Sequence, residues 1–481
     1  MLDLIVRGGL VVTPTHTRRL DIGIQAGQIA FVAEPGLVAA EAARVIDATD
    51  RLVMPGGVEA HAHIAEPMHK GWTRGEEVWL QSPEAATRAA VFGGTTTVVS
   101  FAFMDVHTKT VAFDANIAVQ DRTRLFRGHA YADFAFHPVL TGRPSPATIA
   151  TLVDAIADGT ASFKVFTTDV TSAQTGIKID DGSILEVMQT VAAHGGLGMA
   201  HAEDDELVKH MEARLAREGC DQWYNLHLVH TNLSERIAFH SIISLAREAG
   251  APLYLAHVTG AEGVAAIAAA RAQGQPVFGE VLHNYLCYTA DDYQQPDGGK
   301  YQTYPALKSE ADRLTLWDGL IKGTLSVVAT DEYTTSYQIK TQGKTIATAC
   351  GGHAGIETRG IIAFSEGYRK GRFSLERFVE VFSTNPAKIL GLYPRKGAIL
   401  PGSDADLVVW DPAAHKTIQL SDLHHDSDYS IWEGWAARGW PVMTILRGQV
   451  VVEGGQLLGR PSDGQFVKRK LRPEMLSAAG A

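Results

Sequence analysis

Two histidines one residue apart, His61 and His63, end the apolar run RLVMPGGV in PGGVEAHAHIAEP (55–67). On a strand, residues i and i+2 project from one face, so both imidazoles aim into the same space. Alone, the pair fits satisfied polar residues at a strand end as well as a ligand pair. Four more residues change the balance. Lys164 lies within ASFKVFTT, His201 ends GLGMAHAED, His257 ends PLYLAHVTG and Asp331 ends LSVVATDE. Each interrupts an apolar stretch close to its C-terminal end. Burying such groups without partners would cost on the order of several kcal/mol apiece. A metal centre resolves that cost. The donors are imidazole and carboxylate without thiolate, which suits zinc, with iron, manganese or nickel as alternatives. Lys164 is the odd member, because an ammonium is no ligand. Neutral, and having captured carbon dioxide as a carbamate, it gains two anionic oxygens able to bridge two metals. Two metals roughly 3.5–4 Å apart can share a hydroxide and clamp a reacting carbonyl.

The elements that must position these residues repeat. Between about 53 and 390, eight strand-like runs (LVMPGGVEAHAH, TTTVVSFAF, DFAFHPVLT, SFKVFTT, LGMAHAED, PLYLAHVT, PVFGEVLH and LSVVATDE) alternate with helix-like segments. Several of the latter, such as SPATIATLVDAIADG, open on a capping serine and close on glycine. Eightfold alternation predicts an α/β fold, a TIM-type (β/α)8 barrel. A doubly wound sheet is disfavoured, since no glycine-rich phosphate turn follows the first strand. Barrel chemistry sits at the C-terminal strand ends, where these residues fall. Residues 1–52 and 391–456 read as short strands with glycine turns. Their like character predicts one small β-sandwich made from both chain ends. Residues 457–481, with GQFVKRKLRPE, read as a C-terminal arm.

Bulk properties exclude some partners. With 43 basic and 54 acidic residues among 481, the net charge is −11. No nucleic-acid or anionic-membrane partner is expected. Cys220, Cys287 and Cys350 are odd in number and widely spaced. That argues against a disulfide framework and fits a reducing cytoplasm. MLDLIVRGGLVV lacks the charged-then-apolar pattern of a signal peptide, and no apolar run approaches ~18 residues. A cytoplasmic location is the expectation.

HAH (61–63), SFKVF (162–166), HAED (201–204), AHVTG (256–260) and ATDE (329–332) together resemble the binuclear metal-dependent amidohydrolase superfamily. FGGTTTVVSF (92–101) and STNPAKILGLYPRKGAILPGSDADLVVWDP (383–412) bring the resemblance closer to its hydantoinase/dihydropyrimidinase branch of cyclic amidohydrolases. The resemblance implies that His61, His63 and Asp331 bind one zinc ion and that His201 and His257 bind a second. Carboxylated Lys164 would bridge them. It implies ring opening of a small cyclic amide, imide or ureide by a bridging hydroxide, with Asp331 carrying a proton to the leaving nitrogen. It also implies a homo-oligomer, tetramer or dimer, since GQFVKRK resembles the branch's C-terminal arm. A related enzyme acting on an open-chain urea or amide, or on an allantoin-like ureide, is the alternative. A non-catalytic relative would have lost ligands, and all six are present. Dihydroorotases carry arginine two residues past the second histidine, where this chain has Ala65. Single-metal deaminases lack the bridging lysine.

The substrate side departs from the branch. Asp169 stands five residues after Lys164, where a tyrosine whose hydroxyl helps hold the oxyanion is usual. Gly351, in CGGHAGIE (350–357), stands where asparagine is expected, with His353 nearby. Glu332 and Tyr333 follow Asp331 where histidine is common. Asp169, His283, His353 and Tyr333 are therefore candidate substrate contacts, and the pattern suggests retained chemistry on a changed substrate.

Overall fold

The structure is a computed structural model that describes residues 1–103 and 114–476. Eight parallel strands follow one another around a barrel: β1 (Gly57–Ala62), β2 (Thr95–Phe103), β3 (Asp133–Val139), β4 (Ser162–Phe166), β5 (Leu197–His201), β6 (Leu253–Leu255), β7 (Val277–Leu282) and β8 (Leu325–Ala329). Their apolar, β-branched runs suit strands buried on both faces, and nearly every residue of them is buried. Between them run α1 (Pro83–Phe92), α2 (Ala115–Phe126), α3 (Pro146–Ala157), α4 (Asp181–Ala193), α5 (Asp205–Arg217), α6 (Asn232–Ala249), α7 (Ala261–Ala272) and α8 (Glu310–Lys322). The expected serine caps are in place. Ser82, Ser145 and Ser309 accept from the backbone N–H of Ala85, Thr148 and Asp312 at 3.1–3.2 Å.

The seam between β8 and β1 is closed differently from the rest. A parallel bridge joins Ala62 and Glu332, with the His63 N–H 2.8 Å from the Glu332 carbonyl. Lower in the seam the buried Arg359 guanidinium spans the gap. Its Nη1 donates to the carbonyls of Val58 on β1 and Val328 on β8, both at 3.0 Å. Its Nε lies 3.1 Å from the buried Glu59 carboxylate. A charge this deep is tolerable only because it is paired and hydrogen-bonded.

The chain ends meet as the strand patterning predicts. A four-stranded sheet holds Leu2–Arg7, Asp21–Gln25, Gln28–Ala33 and Ala42–Asp47. A seven-stranded sheet joins Leu10–Val12, Thr17–Arg19 and Leu52–Pro55 to Leu407–Thr417, Ala436–Leu446, Gln449–Glu453 and Gln456–Leu457. Leu4, Ile22 and Ile24 of the first share a core with Val53, Leu407 and Ile445 of the second. The sandwich is tied to the barrel by charge. Lys396 Nζ lies 2.5, 2.7 and 3.0 Å from Asp133 of β3, Asp406 and Asp404, and Arg447 pairs with the same Asp133.

The C-terminal segment runs along the chain's own barrel. Phe134 N–H donates to Gln465 and Val467 N–H to Phe134, at 2.9 and 2.8 Å. Residues 477–481 of the arm lie outside the described residues. No helix among the described residues is long and apolar enough to cross a membrane.

Candidate active site

A cavity of ≈ 570 Å³ opens at the C-terminal ends of the strands, and all six candidate ligands line it. His61 is in β1 and His63 one residue past it. Lys164 is central in β4, His201 ends β5, and His257 and Asp331 follow β6 and β8 by two residues. Those last two adopt φ of +36° and +50°. Non-glycine residues rarely do so, and such strain persists where the surroundings enforce it, commonly at functional sites.

His61 Nε2 and His63 Nε2 lie 3.0 and 3.2 Å from one oxygen, Asp331 Oδ1, and the three ligand atoms fall within 4.8 Å of one another. The opposite ring nitrogens face carboxylates: His61 Nδ1 is 2.7 Å from Glu280 Oε1 and His63 Nδ1 is 3.0 Å from Glu66 Oε2. That arrangement places the N–H on Nδ1 and leaves Nε2 as a lone pair in the neutral rings. Two lone pairs and a carboxylate oxygen then converge on one point. His61 Nε2 is buried and makes no hydrogen bond despite its short distance to Asp331. A divalent cation fits this donor set. Without one, protons must relieve the repulsion. Burial works against protonation of His63, yet Glu66 and Asp331 lift it to about 9. Burial would raise Asp331, yet His61 and His63 hold it well below the usual carboxylate range.

The remaining candidate ligands adjoin this group. The His257 ring centroid is 5.4 Å from that of His61 and 4.5 Å from that of His201. Burial, then the facing His201, keep His257 far below its ordinary value, so its ring is neutral. His201 Nε2 contacts Glu203 Oε2 at 2.9 Å, which leaves Nδ1 as its other donor atom. Glu203 in turn meets His230 Nδ1 at 2.7 Å. Lys164 is buried, with Nζ 5.2 and 5.1 Å from the ring centroids of Phe101 and Phe166. Burial pulls its ammonium down to about 8, against the opposing pull of Asp331 and Glu280. A lysine so placed keeps a usable fraction of neutral amine, the form that reacts with carbon dioxide.

Glu66, Glu203 and Glu280 escaped the sequence reading, although each orients a candidate ligand. Glu280 does most: Oε1 accepts from His61 Nδ1 and, at 3.0 Å, from the His257 backbone N–H, while Oε2 accepts from Tyr254 OH at 2.6 Å. The signal was present as the lone acid in the apolar run PVFGEVLH, but its partners come from β1 and from β6 and the turn after it.

One wall of the cavity is aromatic, while Lys70, Glu77, Arg122 and Gln174 are among its other lining residues. Trp72 and Tyr304 stack at 5.7 Å with planes 7° apart, and Tyr333 meets Trp72 edge-on at 5.8 Å. Of the four substrate candidates, Tyr333 lines the cavity, its ring centroid 5.5 Å from that of His63. Asp169, His283 and His353 are not among the lining residues. Asp169 instead anchors its own loop: Oδ1 accepts from the N–H groups of Gly176, Ile177 and Lys178, each at 3.0 Å. Val170, Gln174 and Ile177 of that loop reach the cavity. His283 and His353 are buried 5.8 Å apart behind it, and burial pulls His353 down to about 3.

Two other departures have packing reasons. A Cβ on Gly351 would lie 2.3 Å from the Tyr304 ring, so a larger residue does not fit beside that tyrosine. Glu332 accepts from Gln81 Nε2 at 2.7 Å, from the N–H groups of Gly355 and Ile356 at 2.6 and 2.7 Å, and from Thr334 OH.

Comparison with known proteins finds relatives over nearly the whole chain. A family model described as the amidohydrolase family matches residues 52–451. The chain is 36% identical over 478 residues to a D-hydantoinase of Streptomyces coelicolor, covering 97% of each. It is 32% identical to a D-phenylhydantoinase of Escherichia coli O1:K1, covering 98% of each. The crystal structure of dihydropyrimidinase from Brevibacillus agri superposes with a TM-score of 0.91 at 29% identity, over 98% of this chain and 100% of that one. With its ligand-type residues gathered at the barrel mouth and its whole length shared with these relatives, the chain belongs to the amidohydrolase family, in its hydantoinase branch.

Proposed function

We propose that this chain is a metal-dependent hydrolase that opens the ring of a small cyclic amide or ureide. The observation that carries the reading is the convergence of His61 Nε2, His63 Nε2 and Asp331 Oδ1 beside His201, His257 and Lys164, in a chain that resembles D-hydantoinases over its full length. His61, His63 and Asp331 would hold one divalent cation and His201 and His257 a second, zinc by the donor set, with Lys164 as a bridging carbamate. Such a pair supplies an acidified water and a polarised carbonyl oxygen. The protein's own part is then proton handling and orientation. Asp331, ionised throughout the neutral range, accepts a proton from the attacking water and delivers it to the departing ring nitrogen. The Trp72, Tyr304 and Tyr333 wall holds a flat ring and excludes water from it. Tyr333, two residues after Asp331 and with its ring 5.5 Å from that of His63, would donate its hydroxyl to the substrate. A homo-oligomer and a cytoplasmic setting belong to the same reading, supported by the resemblance.

The test is ring opening by protein supplemented with zinc and bicarbonate, on dihydrouracil, hydantoin, 5-substituted hydantoins, allantoin, succinimide and an aryl-urea. Turnover of cyclic members is expected. Turnover of the aryl-urea alone, in protein holding two metals, would replace this reading with an open-chain one.

A further inference from the structure

Lys340 lies in the short helix Tyr337–Gln342 after β8 and is 0% exposed. No carboxylate among the described residues forms an ion pair with it. Its Nζ donates instead to three backbone carbonyls, those of Gln302, Cys350 (2.7 Å) and Gly352. Three donors meet three acceptors, which saturates the ammonium. If volume alone mattered here, an apolar side chain would fill the space without the desolvation penalty of a buried charge.

The three carbonyls belong to two separate segments, and both reach the cavity. Gln302 precedes Tyr304 by two residues, and Cys350 and Gly352 flank Gly351; Tyr304, Gly351 and Gly352 all line the site. Packing joins these segments to Tyr333. A Cβ on Gly352, whose φ is +77°, would lie 2.3 Å from Tyr333 Cβ, and one on Gly351 would strike Tyr304. The two glycines thus run between the two tyrosines, with the carbonyls of Cys350 and Gly352 turned to one buried cation.

We propose that Lys340 is a positioning residue for the reaction: its ammonium sets the Tyr304–Gly351–Gly352–Tyr333 wall against which the substrate ring is held. The inference rests on the ring-opening reading. It touches no candidate ligand, so the metal centre should be indifferent to it.

The test uses the full-length, zinc-loaded protein and two variants. Lys340→Met keeps the bulk and removes every donor; Lys340→Gln keeps an amide donor. Metal content, KM and kcat on the best cyclic substrate, and calorimetric binding of hydantoin are measured for each. Lys340→Met should keep two metals, weaken hydantoin binding and raise KM about tenfold or more, and change kcat less than about threefold. Lys340→Gln should recover part of the loss. Binding and KM within twofold of wild type in folded Lys340→Met would overturn the assignment. So would failure of both variants to fold, which would make the lysine purely structural. Wild-type protein holding two metals that neither binds nor opens any cyclic amide would overturn the ring-opening reading and this inference with it. That outcome is distinct because it is seen before any variant is compared.

Discussion

Replacing Glu280 by glutamine tests the proposed metal centre from behind its candidate ligands. The carboxylate accepts three hydrogen bonds in a fully buried setting: His61 Nδ1 at 2.7 Å and the His257 N–H at 3.0 Å on Oε1, and Tyr254 OH at 2.6 Å on Oε2. Glutamine is isosteric but has one acceptor oxygen. That oxygen will face the two donors formerly on Oε1, because the amide NH2 there would meet two N–H groups. The NH2 then faces Tyr254, whose hydroxyl can rotate to accept. Only the Tyr254 hydroxyl proton loses its acceptor, so what is lost at His61 is charge and its orienting pull. Removing such a carboxylate partner typically costs 10–100-fold in metal affinity. With the hydrogen bonds mostly kept, the lower part of that range applies, about 10–30-fold, or roughly 1.4–2 kcal/mol. Glu280→Leu strands His61 Nδ1, the His257 N–H and Tyr254 OH together and should sit at or beyond ~100-fold. The assay is zinc competition against a chelator of known affinity, with metal content measured at each step. Glu280→Gln within twofold of wild type would show that His61 needs no negative charge behind it, and Glu280→Leu within twofold would refute the tautomer argument made for the site.

Lys164→Ala should lose paired metal loading, and short carboxylates such as propionate should restore part of the activity; two retained metals with full activity would exclude a bridging role. Asp331→Asn should lower turnover by at least ~10²-fold if Asp331 carries the proton, and a near-normal steady-state rate would remove it from that role. Asp169→Ala deprives three backbone N–H groups of their acceptor, so stability should fall by roughly 1–3 kcal/mol and KM should rise more than kcat falls; unchanged melting and KM would show that the loop needs no anchor. Burial, opposed by Lys308 and by Thr259, lifts Glu235 from 4.5 to about 7. Between those values the folded chain keeps a proton that the unfolded chain releases, so this group lowers stability as pH rises through the window. Denaturation of Glu235→Gln against wild type should therefore favour the variant more at pH 8 than at pH 5, and a pH-independent difference would contradict it.

The barrel and the candidate ligands at its mouth were legible because each candidate is the wrong kind of residue for its surroundings. An imidazole closing PLYLAH or an aspartate closing LSVVATD stands out against a strand buried on both faces. Both halves of the sandwich were legible for the same reason, since period-two alternation needs no knowledge of the partner strand. The loops were not. Lys340 in YQIKTQ reads as a surface lysine on a polar helix, and only the fold turns three carbonyls toward it. Asp169 invited a substrate role because it replaces a residue that has one. Its actual partners are backbone N–H groups seven to nine positions on, which side-chain identity does not reveal. The gap beside Tyr304 that requires Gly351 is likewise a matter of tertiary packing.

The sandwich also sets an order of events during synthesis. Leu52–Pro55 finds its antiparallel partner in Leu407–Trp410, roughly 350 residues later. At ribosomal rates of about 5–20 residues per second, that separation is on the order of 20–70 s. Throughout it LVMP (52–55) lacks its Leu407–Trp410 neighbour, and LDLIV (2–6), whose own strand neighbours at 21–25 and 42–47 are already made, lacks the residues of the opposite sheet that complete its core. The barrel can assemble strand by strand as it emerges, each strand pairing with the one just made. The amino-terminal strands can pair among themselves at once, but their apolar face stays open until residues 407–446 are made, which makes that face the place to look for aggregation when the protein is overproduced.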